Sequence, residues 1–185
     1  MFIKKFNTFI LIILTLFTKK LYAEKMLIDD FNNDNQENWE FISDQVMGGV
    51  SFGNYEILNE GNTSFLKLTG FVSLENNGGF IQVRKKLKNM QDMNFKGIKV
   101  NSRGNDIEYY IHIRTKFTLL PWQYYQGKFS VDGQWREIKI NLSEFKRSGA
   151  LLPRYIKPQH ILSVALVAFG KKHRVNLEVS EIAFY

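Results

Sequence analysis

The sequence predicts an all-β protein of the jelly-roll β-sandwich type, and three observations carry that expectation. After Glu24, apolar residues recur at every second position along most of the chain, the period of strands half-buried in a sheet. The repeating segments are short and are separated by Gly, Asn, Asp or Pro, residues that punctuate turns. Long stretches with the 3.6-residue period of an amphipathic helix are absent, and many strands without long helices pack as facing sheets.

Along the chain, "MLIDDF" (26–31) opens the series, followed by "SFLKLTGFVSL" (64–74), "GGFIQVRKKL" (78–87) and "GIKVNSRG" (97–104). "EYYIHIRTKF" (108–117), "WQYYQGKFSV" (122–131) and "WREIKINL" (135–142) come next. "ILSVALVAFG" (161–170) reads as a fully buried strand and "VNLEVSEIAFY" (175–185) as an alternating one. Pro153 and Pro158, two of the three prolines, fall in a loop between Phe145 and Ile161. Short helical turns are expected at Leu142–Phe145 and Pro158–Ile161. Repeats, linkers and low-complexity segments are absent, so residues 24–185 read as one domain.

The segment before it, "MFIKKFNTFILIILTLFTKKLYAEKM", has the layout of a signal peptide. Lys4 and Lys5 precede an apolar run from Phe9 to Phe17, and Ala23 is the expected last residue before cleavage. The run is well short of the roughly 20 residues a membrane-spanning helix needs. Leu21 and the Lys19-Lys20 pair are atypical of a cleaved signal, so an uncleaved tether is the alternative. An exported protein, periplasmic or tethered facing the periplasm, is expected. The whole chain has a net charge of +7, but without residues 1–23 it carries 21 basic and 18 acidic residues. That mild excess makes a nucleic-acid partner unexpected. With no cysteine, disulfides, thiol catalysis and zinc–thiolate sites are excluded.

Alternation sorts side chains by face. Tyr109, Ile111 and Ile113 point to the core, leaving Glu108, Tyr110, His112 and Arg114 outside. Ile81 and Val83 point in, with Phe80, Gln82 and Arg84 out. Ile98 and Val100 point in, with Lys99, Asn101 and Arg103 out. Tyr125, Phe129 and Val131 suit the core, with Trp122, Tyr124, Gln126 and Lys128 opposite. If these strands share one sheet, its outer face gathers Arg84, Arg103, His112, Arg114, Trp122, Tyr124 and Gln126. Such a face is either ordinary solvated surface or an open site for a ligand or protein.

Catalytic patterns are missing. His112, His160 and His173 are far apart, and none has metal-ligand spacing; His112 is expected to be a hydrogen-bonded surface residue. There is no nucleophile-elbow pattern, and no pair of carboxylates stands out for glycoside hydrolysis. No enzyme activity and no cofactor are expected. Asp29, Asp30, Asn32 and Asp34 offer oxygen atoms that calcium could use, but Asn/Asp clusters usually make turns and this one lacks EF-hand spacing.

The stretch "SDQVMGGVSFG" (43–53) has neither the P-loop nor the dinucleotide pattern. Its glycine pair reads as a kink or bulge leading into a strand. "SDQVMGGVS" also resembles the D-x-V-M-G-G-V-S signature of the complex I intermediate-associated protein 30 family. "GFVSLENNGGFIQVR", "SRG" at 102–104, "YYIHIRT", "YYQGKFSVDGQWREIKINLSEF" and "LEVSEIAFY" follow in the family's order. Asn141 stands where the family often has proline. The resemblance implies a galactose-binding-like β-sandwich without catalysis, whose mitochondrial relatives assist assembly of respiratory complex I. It marks Asp44, Met47, Gly48, Gly49, Ser51, Gly79, Phe80, Arg84, Arg103, Gly104, Arg114, Tyr125, Gln126, Trp135 and Phe145. Several of these suit architecture, with Trp135 and Phe145 expected in the core. A protein partner in a respiratory or envelope complex is the first expectation. A carbohydrate held by Trp122 and Tyr124, with Arg103, Arg114 and Gln126 as hydrogen-bonding groups, is the alternative.

Overall fold

A computed structural model describes residues 26–32, 39–90 and 92–185. The leader expected at 1–23 and Asp34 of the acidic cluster lie outside the described residues. The strands are β1 (Met26–Asp29), β2 (Trp39–Ser43), β3 (Phe52–Glu60), β4 (Thr63–Val72), β5 (Phe80–Lys86) and β6 (Gly97–Gly104). They continue with β7 (Glu108–Thr115), β8 (Tyr125–Ser130), β9 (Arg136–Asn141), β10 (Lys146–Arg147), β11 (Ile161–Phe169) and β12 (His173–Phe184). Short 3-10 turns occur at Leu142–Glu144 and Pro158–His160, as expected, and also at Asp44–Met47 and Glu75–Asn77. Among the described residues no helix is long and apolar enough to cross a membrane.

The strands form two antiparallel sheets. One runs β3-β4-β12-β6-β9, with β1 added beside β12. The long β12 accommodates this by pairing β4 along its first half and β1 along its last residues. The other sheet runs β10-β8-β7-β11-β5-β2. Between them lies the core: Leu66 and Leu68 (β4), Ile81 and Val83 (β5), Ile98 and Val100 (β6), Ile111 and Ile113 (β7), Leu166 (β11) and Leu177 (β12) are all fully buried. Each such side chain contributes about 1.5–3 kcal/mol through removal of apolar area from water. The sandwich is the jelly-roll architecture that the alternation predicts.

Two tyrosine hydroxyls caught in this core have partners. The Tyr109 hydroxyl donates to Asn105 Oδ1 at 2.6 Å and accepts from Asn176 N–H at 3.0 Å. Burial pushes its pKa upward, so it stays neutral. The Tyr125 hydroxyl donates to the Pro153 carbonyl at 2.8 Å, pinning the long loop before β11. Gly127 leaves room for the buried Phe145 ring, whose atoms would lie 2.7 Å from an added Cβ.

Two expectations about packing are corrected. β6 belongs to the sheet opposite β5, β7 and β8, so Arg103 lies on the other outer surface of the molecule. Trp135 is not a core residue: half-buried on that same surface, it packs edge-on against Phe65 at 5.7 Å, with the Arg103 guanidinium 4.6 Å from its ring. Glu178 and Glu60 complete that cluster by pairing with Arg103.

Candidate functional site

The outer face of the β8-β7-β11-β5-β2 sheet bears a groove of about 960 Å³. Register fixes its floor. Arg84, Ala165, His112 and Gln126 form one row across β5, β11, β7 and β8, and Glu40 of β2 extends it beyond Arg84. The neighbouring rows place Ser163 beside Arg114, and Phe169 beside Phe80. Small side chains at Ser163 and Ala165 keep the middle strand low, while long side chains on both flanks rise around it. Four strand spacings of about 4.8 Å separate β2 from β8, giving a width of about 19 Å. Val46 and Met47 follow β2 and Trp122 precedes β8, so these residues border diagonally opposite corners. All three are strongly exposed, at 76%, 60% and 63%.

One corner is built by the "DQVMGGVS" stretch, which serves as a carboxylate-centred clasp. Asp44 is fully buried, with 0% exposure. Its carboxylate accepts from Ser51 N–H at 2.9 Å, Gly79 N–H at 2.6 Å and Phe80 N–H at 3.2 Å, and also from the Ser51 hydroxyl. Ser51 Oγ in turn accepts from Ser73 N–H at 2.9 Å. Burial favours the neutral acid, but the hydrogen bonds from Ser51, Gly79 and Phe80 prevail and hold the Asp44 pKa below its ordinary value. The glycines follow from this contact. An added Cβ on Gly49 or Gly78 would sit within 2.5 Å of the Asp44 carboxylate, and Gly48 has φ +89° with open space around it. The pair is therefore a tight turn closing the 3-10 segment before β3, the kink leading into a strand that the glycine pair implies. The clasp holds Val46, Met47 and Phe80 at the groove.

The opposite corner is held by Arg114. Its guanidinium donates to the carbonyls of Thr118 at 2.8 Å, Leu120 at 3.0 Å and Pro121 at 3.4 Å. Ser148 secures the same loop, donating to the Trp122 carbonyl and accepting from Tyr124 N–H, each at 3.0 Å. No carboxylate pairs with Arg114 among the described residues. Burial lowers its pKa, and the nearby charge of Arg84 adds to that effect. Arg84 pairs with Glu40 at 2.8 Å, while its Nε is buried without a partner.

His112 differs from the expected surface histidine. It is 8% exposed, lies flat beneath Tyr124 with ring centroids 4.0 Å apart, and meets Phe169 edge-on at 5.9 Å. Burial pushes its pKa down to about 3, against a weaker opposing effect of Gln126. The imidazole is thus neutral at physiological pH, and its Nε2 is buried without a partner. Glu40 is the single carboxylate among the described residues lining the groove, so no facing pair of acids for glycoside hydrolysis is assembled there. The arrangement can stack, hydrogen-bond and attract negative charge.

Of the residues the alternation gathers, the structure brings Arg84, His112, Arg114, Trp122 and Tyr124 into the groove lining, with Gln126 directly across the ladder from His112. Arg103 is excluded. Of the family-marked positions, Met47, Gly79 and Phe80 line the groove; Asp44, Gly48, Gly49 and Ser51 build its corner; Tyr125 and Phe145 lie in the core. The face reading omits Val46, Glu40, Ser163, Ala165 and Phe169, all of which line the groove. A signal for the last three exists: Ser163, Ala165 and Phe169 alternate with Val164, Leu166 and Ala168 along β11. In the acidic cluster, Asp29 accepts from Phe31 N–H at 2.9 Å, Trp39 Nε1 at 2.9 Å and Lys85 Nζ. That carboxylate is already engaged, and among the described residues no group of three or more acidic or histidine side chains is placed to hold a metal ion.

Residues 29–179 match the family model described as Complex I intermediate-associated protein 30. Among solved structures, the chain is similar to a family 11 carbohydrate-binding module from Clostridium thermocellum in complex with a β-1,3-1,4-mixed-linked tetrasaccharide. That alignment has TM-score 0.68 and 15% identity, covering 86% of this chain and 94% of the module. The family 11 module of a cellulosomal cellulase from the same organism aligns with TM-score 0.68 and 15% identity over 86% and 93% of the two chains. An exo-β-agarase aligns with TM-score 0.60 and 10% identity over 86% of this chain and 25% of its own. No curated protein matches the chain.

Proposed function

We propose, from the premise that this chain belongs to the complex I intermediate-associated protein 30 family, that it is a non-catalytic binding domain whose groove takes up an extended segment of a partner protein. The role that follows is assistance in assembling or maintaining a respiratory or envelope complex. The protein is exported and works facing the periplasm, in keeping with the leader-like residues 1–23, and meets its partner there.

One observation carries the preference for a protein ligand. The groove is bordered at one corner by exposed aliphatic side chains, Val46 and Met47, and at the other by exposed Trp122. Clustered apolar and aromatic anchors around a concave floor are what a protein segment buries on binding. At about 3.3 Å per residue, a span of about 19 Å holds roughly six extended residues. The chemistry at the floor supports binding without turnover, since His112 is neutral and stacked beneath Tyr124 and Glu40 is the single carboxylate among the described residues lining the groove.

The second reading is a glycan ligand. Tyr124 lies flat on His112 and Trp122 is open to solvent, a pair of ring surfaces on which sugars could stack. The similar module from Clostridium thermocellum carries a tetrasaccharide, yet at 15% identity that likeness speaks for the fold alone.

The two separate in one experiment. Full-length tagged protein is purified from membrane fractions as wild type, as Met47→Ser with Trp122→Ala, and as Lys139→Ala on the opposite sheet. A protein partner recovered with wild type and Lys139→Ala but lost from the groove variant supports the proposal. Retention on a glycan array, lost in the same variant and without a co-purifying protein, overturns it in favour of the second reading.

A further inference from the structure

Building on the groove as a protein-binding site, we infer that the segment it accepts carries an acidic side chain, Asp or Glu, whose carboxylate docks between Arg114 and Arg84. The two arginines flank the low middle of the floor. Arg84 pairs in register with Ala165 and Arg114 with Ser163, so their backbones are two strand spacings and two residues apart, about 12 Å. The two guanidiniums stand on either side of the small Ser163 and Ala165 side chains, close enough for the charge of Arg84 to act on Arg114.

The charges in this opening are unbalanced. Among the described residues that line the groove, Arg84 and Arg114 carry positive charge and Glu40 alone carries negative charge. Arg114 spends its donors on backbone carbonyls, and Glu40 engages only one terminal nitrogen of Arg84. Two buried nitrogens on the same row, Arg84 Nε and His112 Nε2, have no partner. Both are closed off from solvent, so a docking carboxylate meets the outer nitrogens of the partly exposed Arg84 and Arg114 side chains. Guanidinium groups favour planar, bidentate recognition of carboxylates. Glu40, half in solvent, would repel a polyanion but tolerates a single acid flanked by apolar residues that meet Val46, Met47 and Trp122.

The test is selection of random eight-residue peptides displayed on phage, panned on the immobilised full-length chain. Affinities of the best synthetic peptide and its Glu→Gln or Asp→Asn counterpart are then measured by fluorescence polarisation. Enriched peptides should share one acidic residue among apolar ones, and neutralising it should weaken binding about tenfold or more, the scale of a charge-assisted pair. Arg114→Gln should cost the acidic peptide more than the neutral one, abolishing most of the affinity difference between them. Because Arg114 also ties down the 118–121 loop, Glu40→Gln provides a second arm. Substitution at this exposed side chain frees Arg84 and should tighten binding of the acidic peptide several-fold relative to the neutral one. Enriched peptides without an acid, or equal affinity of the acidic and neutral forms, would overturn this inference and leave the protein-binding groove standing. No enrichment above bare support, or binding of uronic-acid oligosaccharides in place of peptides, would overturn both.

Discussion

Replacing Asp44 with Asn should loosen one corner of the groove and lower the stability of the whole sandwich. The side-chain volume hardly changes, so the effect isolates charge and hydrogen bonding. With its oxygen turned toward Gly79 and Phe80, the new amide would present an NH₂ group to Ser51 N–H, which now lies 2.9 Å from a carboxylate oxygen. A buried donor left facing a donor costs about 1–3 kcal/mol. The bonds from Gly79 at 2.6 Å and Phe80 at 3.2 Å would lose their charge assistance, adding roughly 1–2 kcal/mol. The sum is about 3 kcal/mol, a fall in Tm of about 6–12 °C for a domain of this size. Circular dichroism melts at pH 7 measure it directly. The pH dependence supplies a sign test. The folded pKa of Asp44 lies below the ordinary 3.8, so its stabilisation is present above that value and is lost as pH falls through the folded pKa. The difference between wild type and Asp44→Asn should therefore shrink in strong acid. A Tm within 2 °C of wild type at pH 7, or a difference that grows as pH falls below 4, would refute the clasp.

Other expectations rest on different contacts. Gly49→Ala forces a Cβ into the pinned Asp44 carboxylate and should destabilise well beyond Gly48→Ala, which meets no atom and costs about 1 kcal/mol of backbone strain; chemical denaturation ranks the two. His112 should show no titration between pH 5 and 8 by NMR. Its folded pKa of about 3 lies below the ordinary 6.5, so stability should fall as pH drops from 6.5 toward 3, a slope that His112→Phe removes. Trp122→Ala, at an exposed position, should change stability by no more than about 0.5 kcal/mol while weakening partner binding by about 2 kcal/mol or more. Arg103→Ala should do the reverse, disturbing the Glu178, Glu60 and Trp135 cluster while partner binding is kept.

Strands with one buried face were legible in the sequence because alternation follows directly from the pleat. β7 is the clearest case, with Tyr109, Ile111 and Ile113 fully buried as their spacing implies. β3 was obscured because its side chains are half-exposed at a sheet edge and Gly53 interrupts the pattern. β2 has a mixed burial pattern, and β10 is only two residues long. Sheet membership was beyond reach: β6 alternates as β7 does, and only long-range pairing with β12 sends Arg103 to the far surface. Covering groups were equally invisible. His112 occupies an outward position in its strand, yet Tyr124 and Phe169 close over it. The role of Asp44 depends on Gly79, 35 residues later, and chain spacing gives no sign of that contact.

Site-specific photocrosslinking in intact cells addresses the groove most directly, with p-benzoylphenylalanine placed in turn at Met47, Trp122 and, on the opposite sheet, Lys139. If the groove receives a protein segment, the probes at Met47 and Trp122 will capture the same partner polypeptide and the probe at Lys139 will not. Capture from Lys139 with none from either groove position would contradict the assignment and move the binding surface to the other sheet.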